Sequence, residues 1–188
     1  MVANMLQTDV TPGAARGYLN MKFNFYEAGT YTGKGTGTPI TLLNVKVNSY
    51  DLDYMNTSGS QFTDFRGFQS YTLSSNTTLT VKDTAADSNV PSGAVRFQDN
   101  GSVTAGYSAT DGSYTKGRVQ ANFDVVTELS VNLGSVVAGL GKYALDFGPG
   151  YPWQEGSTSI GTNTTSNSYN TPPTSNNNSI YYSQGVPW

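Results

Sequence analysis

The chain has 188 residues, of which 12% are charged, and its 10 basic and 13 acidic residues give a net charge of −3. This length suffices for one domain with a real core, and the scattered basic residues argue against nucleic-acid binding. The sequence has no Cys and no His, which excludes disulfides and thiolate metal sites and removes the commonest general base and zinc ligand.

Few charges with many Gly, Ser, Thr, Asn and Tyr residues are typical of β-proteins from extracellular surfaces or virions. The first residues have neither the basic start nor the apolar run of a signal peptide. No stretch approaches the roughly 20 apolar residues that a membrane helix needs. We therefore expect an extracellular surface or virion protein with no membrane span.

Apolar and polar residues alternate with period two along most of the chain, which predicts strands. In chain order, the predicted strands are centred on Leu19–Phe25, Leu43–Val47, Tyr71–Leu73, Leu79–Val81, Val119–Val125, Leu129–Leu133 and Tyr143–Phe147. Asp99–Ser102 predicts a tight hairpin between strands at 95–97 and 103–105, because Asn-Gly accepts positive φ angles. No window predicts a helix.

About eight antiparallel strands, each with one buried face, predict an all-β fold: an antiparallel, jelly-roll-like β-sandwich. We place an extended N-terminal arm at residues 1–14 and the sandwich body at residues 15–150. A long extended tail rich in Ser, Thr and Asn follows at residues 151–188.

The tail is the most distinctive segment, because Gly156–Trp188 contains no charged side chain. Alone, such a composition should be disordered, since it cannot bury enough apolar surface to offset its chain entropy. An ordered tail must therefore lie against its own domain or against a neighbouring subunit.

Two copies of a Gly-x-Pro-Trp motif bracket this tail, ending at Trp153 and Trp188, the only two tryptophans. The repeat is either a chance match or a pair of anchors that fill equivalent apolar pockets. Ile180, Tyr181 and Tyr182 have strand propensity and are expected to pair with a sheet edge. We predict all five residues as assembly anchors.

Acidic residues are densest at Asp51 and Asp53. If they share one side of a strand, the two carboxylates repel unless a cation or a donor lies between them, and oxygen ligands suit Ca²⁺. The alternative is that both are solvated or cap a turn. A glycosidase pair drawn from Asp51, Asp53, Asp64 or Glu27 is a third interpretation, but nothing sets two of these residues across a cleft. We predict no catalytic residues.

Phe62, Phe65 and Phe68 recur every three residues, a spacing that places some of the rings outside a strand. Exposed rings beside polar groups are typical of carbohydrate sites and of subunit interfaces. Core packing is the simpler alternative.

Several short motifs carry a family resemblance over residues 19–150. They are Pro39–Val45, Tyr50–Asp53, Phe65–Leu73, Val95–Phe97, Gly117–Phe123 and Tyr143–Phe147. The chain resembles calcium-binding jelly-roll modules of secreted or surface proteins of aquatic bacteria, and similar modules of phage structural proteins. The resemblance implies a structural Ca²⁺ held by Asp51 and Asp53, with Asp146 as a further candidate.

Together these features predict a non-enzymatic structural subunit of a virion or an extracellular filament. Its arm and tail would contact other copies of the chain or other assembly proteins. The alternative is an adhesin-like module that binds a surface glycan or peptide through Ca²⁺ and loop aromatics.

Overall fold

A computed structural model of the chain describes residues 17–56, 59–100, 116–136, 143–148, 150, 157–162 and 179–181. These residues form strands and turns, with no helix among them. In chain order the strands are β1 (Gly17–Asn24), β2 (Thr41–Tyr50), β3 (Tyr54–Asn56), β4 (Gly59–Arg66), β5 (Ser70–Ser74), β6 (Leu79–Lys82), β7 (Ala94–Asp99), β8 (Val119–Val126), β9 (Glu128–Ser135), β10 (Ala144–Phe147), β11 (Ser157–Thr162) and β12 (Ser179–Tyr181).

The strands form two sheets that pack face to face, which confirms the predicted β-sandwich. The first sheet has the order β1-β9-β4-β7-β6, with β3 beside β4. The second has the order β10-β2-β8-β5-β11, with β12 beside β2. All of these pairs are antiparallel except that of β12 with β2.

The connections are jelly-roll-like, because the chain folds as a nested antiparallel ribbon. β1 pairs with β9, β2 with β8, and β4 with β7, so each inner pair is enclosed by the previous one. Successive pairs alternate between the two sheets. One departure is that β6 pairs with β7 in the first sheet, while β11 occupies the edge of the second sheet beside β5.

The core lies between the sheets and is rich in aromatic side chains. Phe65 packs edge-to-face against Phe97 and Phe123, with ring centroids 6.2 and 6.5 Å apart. Phe68 and Tyr71 complete the cluster, and the Tyr71 and Phe97 centroids are 4.9 Å apart. Burying each such ring contributes about 1.5–3 kcal/mol, so this cluster is a main source of cohesion between the sheets.

Two buried hydrogen bonds also join the sheets. The Ser49 and Thr63 hydroxyl oxygens lie 2.7 Å apart. The Tyr143 hydroxyl donates to the Gly134 carbonyl at 2.6 Å. Because Ser49 and Thr63 point inward, their neighbours at positions 48, 50, 62 and 64 project from the outer faces of the sandwich.

The predicted hairpin, in which residues 95–97 pair with the strand that follows Asn100–Gly101, is wrong. Both edges of β7 are already occupied, by β4 across Phe62–Arg66 and by β6 across Leu79–Lys82. The Asn100 amide donates to the Thr78 carbonyl, which extends the pairing of β6 with β7 by one residue. The second predicted strand, at 103–105, lies outside the described residues.

The two short strands of the tail lie at opposite edges of the second sheet. β11 pairs with β5 at one edge. At the other edge, β12 pairs with Thr41–Leu43 of β2, beside the stretch Val47–Tyr50 that β10 occupies. β8 fills the opposite side of β2, so β10 and β12 share one edge.

Candidate functional site

The outer face of the second sheet carries a buried polar cluster that we call the Arg118 cluster. It consists of Asn48, Tyr50, Arg118, Gln120 and Asp146. Asn48 and Gln120 are directly opposite each other on β2 and β8, and Asp146 of β10 is opposite Asn48 on its other side. The register therefore brings these side chains together from three neighbouring strands.

Asn48 is the centre of the cluster. Its amide oxygen accepts from Arg118 Nε at 3.2 Å and Nη2 at 2.8 Å, and from the Gln120 amide at 2.9 Å. Its own amide group donates to the Gly148 carbonyl at 2.9 Å and, more weakly, to Asp146 at 3.4 Å. An asparagine can accept and donate hydrogen bonds at the same time, because its amide group carries an acceptor oxygen and two donor hydrogens.

Arg118 has no exposed surface, although it lies on an outer face of the sandwich. Burial lowers its pKa, and the nearby Tyr50 and Asp146 oppose that shift. The guanidinium also lies 5.2 Å from the centre of the Tyr50 ring. A buried cation of this kind is tolerated when hydrogen bonds and a counter-charge surround it.

Gly150 lies directly against this cluster, where the chain leaves β10. Its φ of 71° is in the left-handed region that favours glycine. A Cβ atom added there would collide with Arg118 Nη2, the Tyr50 hydroxyl and Asn48 Cγ. The first residue of the predicted tail-anchor motif is thus seated on the cluster by close backbone contact.

The outer face of the first sheet carries a matching Arg96 cluster, formed by Asn20, Phe62, Asp64, Arg96 and Asn132. Arg96 forms a two-pronged ion pair with Asp64, at 2.7 and 3.0 Å, and both side chains are buried. The guanidinium also stacks 3.5 Å from the centre of the Phe62 ring. Asn132 donates to Asp64 at 3.2 Å, and Asn20 to Asn132 at 2.7 Å.

The segment between β6 and β7 contacts the Arg96 cluster from outside. The Asn89 carbonyl accepts from Arg96 at 3.3 Å, and the neighbouring Val90 is buried. Charge pairing, ring stacking and this overlying segment explain how an arginine on an outer face becomes inaccessible to solvent.

The predicted calcium ligands do not lie in one group. β2 ends at Tyr50, so Asp51 and Asp53 are not strand neighbours, and Asp51 is buried with a positive φ of 63°. Burial raises the pKa of the Tyr143 hydroxyl, and the charges of Asp53 and Asp51 raise it further, so both carboxylates act on this tyrosine. Asp146 belongs to the Arg118 cluster instead, where it accepts from the Tyr50 hydroxyl at 3.3 Å.

Among the described residues, no group of three or more His, Cys, Asp or Glu side chains is arranged to hold a metal ion. Asp51 and Asp53 are the pair that would contribute oxygen ligands if Ca²⁺ binds at this end of the sandwich. The calcium site therefore stays a prediction.

The three rings predicted as ligand contacts are buried, which corrects that prediction. Phe65 and Phe68 belong to the aromatic core. Phe62 projects from the outer face but is 2% exposed beneath Arg96. The core-packing alternative holds for two of them, and the third packs against a buried guanidinium.

Of the predicted tail anchors, Ile180 and Tyr181 lie in β12, where they are opposite Leu42 and Leu43 of β2. Trp153, Tyr182 and Trp188 lie outside the described residues.

Sequence reasoning missed both arginine clusters. The only local signal is an acceptor and an aromatic residue two positions apart. These pairs are Phe62 with Asp64 on β4, and Asn48 with Tyr50 in the buried last four residues of β2. Arg96 lies on another strand, β7, and Arg118 directly precedes β8, so both contacts depend on how distant strands pair.

No protein-family model matches this chain, and comparisons with curated proteins and with solved structures also yield no match. Within the described part of the chain, no helix is long and apolar enough to cross a membrane.

Proposed function

We propose that the protein is a structural subunit of an ordered surface assembly, either a virion component or an extracellular filament. The observation that carries this proposal is that the charge-free tail contributes strands to both edges of the second sheet. Tail strands of this kind add to a neighbouring subunit by the same main-chain hydrogen bonds that they form within their own subunit.

The physical basis is that every copy presents identical edges. A tail strand that pairs with a neighbouring subunit forms the same contacts that it forms within its own subunit. Strand exchange is therefore a low-energy route to assembly. The segment 163–178 between β11 and β12 can span up to about 50 Å when extended, enough to reach an adjacent subunit. Neutral Ser, Thr and Asn side chains can be buried between subunits without desolvating an ion.

The direct test removes residues 156–188 and measures assembly by electron microscopy and light scattering. A finer test replaces Ile180 by Pro, which removes the amide of the central residue of β12 and blocks pairing there. Asn167→Pro, in the segment between the two tail strands, is the matched control. We expect Ile180→Pro and the deletion to prevent assembly and the control to assemble. Normal assembly of the deleted chain would refute the proposal.

A second candidate function is a calcium-dependent, adhesin-like module for a glycan or peptide. The observation that favours it is that Asp51 is buried directly after the end of β2, with Asp53 two residues further on. The charges of both carboxylates also raise the pKa of the buried Tyr143 hydroxyl. A cation between the two carboxylates would relieve their repulsion and stabilise the native state.

Thermal unfolding with millimolar Ca²⁺ or with a chelator tests this candidate. We expect Ca²⁺ to raise Tm for the natural sequence and to lose that effect in Asp53→Asn. The control is Asp124→Asn, which changes an exposed carboxylate on β8. Equal Tm values with and without Ca²⁺ in the natural sequence would exclude the calcium-dependent function.

A further inference from the structure

The strand β1 forms an outer edge of the first sheet. Its 8 residues pair with β9 in continuous register from Gly17 to Asn24, without a bulge. Among the described strands, none pairs with the other side of β1. Every second residue of β1 therefore directs its main-chain N–H and C=O away from the sheet.

Soluble proteins usually protect such an edge with proline, inward charges, a bulge or a short strand. β1 contains no proline, and its one charged residue, Lys22, is bound to Glu128 at 2.7 Å. The opposite edge strand, β6, has 4 residues and ends at Lys82. Among the described strands of this sheet, β1 is thus the long edge strand without these protections.

The same strand carries exposed apolar surface. Tyr18 and Leu19 are 57% and 38% exposed, and they are two of the three large hydrophobic residues that the described part of the chain exposes. Met21 and Phe23 are partly buried against the core and border the same edge. Apolar side chains beside unpaired main-chain groups are typical of a surface that another strand covers.

We infer that β1 pairs antiparallel with β1 of a second copy of this chain, with the two-fold axis passing through Met21. This register joins the two first sheets into one continuous sheet. On the inner side, Leu19 is opposite Phe23 of the second copy, and Met21 is opposite itself. On the outer side, Tyr18 is opposite Asn24, and Asn20 is opposite Lys22.

This register is favoured because it matches side chains in size and charge. The exposed Leu19 gains an aromatic neighbour at each end of the pair, and no two lysines are opposite each other. An axis through Asn20 would instead place Phe23 opposite Gly17, which has no side chain to cover the ring. Slips by one residue are excluded, since they would set inner residues opposite outer ones.

This inference deepens the proposed assembly function and rests on it, since it names a second copy as the partner. The contact uses β1 of the first sheet and is separate from the tail strands on the second sheet. The two kinds of contact can therefore be disrupted one at a time.

The first experiment measures the molar mass of the full chain by sedimentation over a range of concentrations. We expect the natural sequence to be at least dimeric, and Ile180→Pro, in which the tail strand cannot exchange, to be a dimer. Leu19→Lys places a charge opposite Phe23 and should weaken dimerisation at least tenfold. Tyr31→Lys replaces the third exposed hydrophobic residue, away from β1, and should leave the dimer intact. Circular dichroism checks that each variant is folded.

Ile180→Pro separates this inference from the strand-exchange proposal. Loss of the dimer in Ile180→Pro together with its persistence in Leu19→Lys would overturn the β1 pairing and leave tail exchange standing. A dimer lost only in Leu19→Lys supports the β1 pairing. A chain that is monomeric at every concentration would overturn it.

The second experiment uses the absence of cysteine from the sequence. Opposite residues of an antiparallel pair have Cα atoms about 4.5–5.5 Å apart, within the range of a disulfide. Met21→Cys should therefore form a disulfide-linked dimer under mild oxidation, read on a non-reducing gel, whereas Asn20→Cys should not. A cross-link from Asn20→Cys alone, or from neither variant, would overturn the inferred register.

Discussion

At the residue scale, Gly150 fixes the path of the chain as it leaves the sandwich. Replacing it with alanine adds left-handed strain and a collision with Arg118 and Tyr50. Gly93 is the matched control, because its φ is 73° and nothing lies within 4 Å of an added Cβ. We expect Gly93→Ala to lower the free energy of unfolding by about 1 kcal/mol and Gly150→Ala by about 2–4 kcal/mol. Urea denaturation measures both, and equal losses would mean that the contact with the cluster is unimportant.

The ion pair between Asp64 and Arg96 makes a second residue-scale prediction. Asp64→Asn leaves a buried guanidinium without its counter-charge, and we expect a loss of about 3–5 kcal/mol. Glu128→Gln breaks the exposed pair with Lys22 and should change the free energy of unfolding by less than about 1 kcal/mol. If the two variants were equally stable in urea, burial of the Arg96 cluster would not contribute to stability.

At the scale of elements, the sequence predicts strands such as β8 and β9, in which apolar and polar residues alternate. It does not predict β4, which is buried on both faces. β8 and β9 read as strands because apolar inner residues alternate with polar outer ones. β4 lacks this alternation of apolar and polar residues, because its outer residues Phe62 and Asp64 are also buried. Its position between β7 and β9 depends on pairings distant in sequence, which local patterns do not encode.

The same reasoning separates the strands by their resistance to opening. β4 and β9 are paired on both sides, whereas β12 has 3 residues and pairs only with β2. Native-state hydrogen exchange should therefore be slowest in β4 and β9 and faster by at least a hundredfold in β12. Protection of the Ile180 amide equal to that of β9 would mean that the tail strand is an integral part of the sheet and does not exchange between subunits.

At the scale of the whole molecule, the sandwich keeps its two arginine clusters apart. They lie on opposite outer faces, with both sheets and the core between them, and no residue belongs to both. The sequence indicated neither cluster, because each is assembled from three or more strands. The alternation of apolar and polar residues therefore predicts the core, whereas the clusters on the outer faces depend on which strands pair and in what register.

Because the two clusters are separate, a substitution in one cluster should not change the loss of stability that a substitution in the other causes. Losses of stability from Asp64→Asn and Gly150→Ala should add within about 0.5 kcal/mol in the double variant, because distant sites without shared partners are additive. The contrasting case is Asp64→Asn with Arg96→Met, which removes both charges of one buried pair and should be more stable than the sum of its parts by at least about 1 kcal/mol. Urea denaturation of the three single and two double variants measures both couplings. A large coupling between the two faces would mean that the sheets respond as one unit, so that binding at one face could be transmitted to the other.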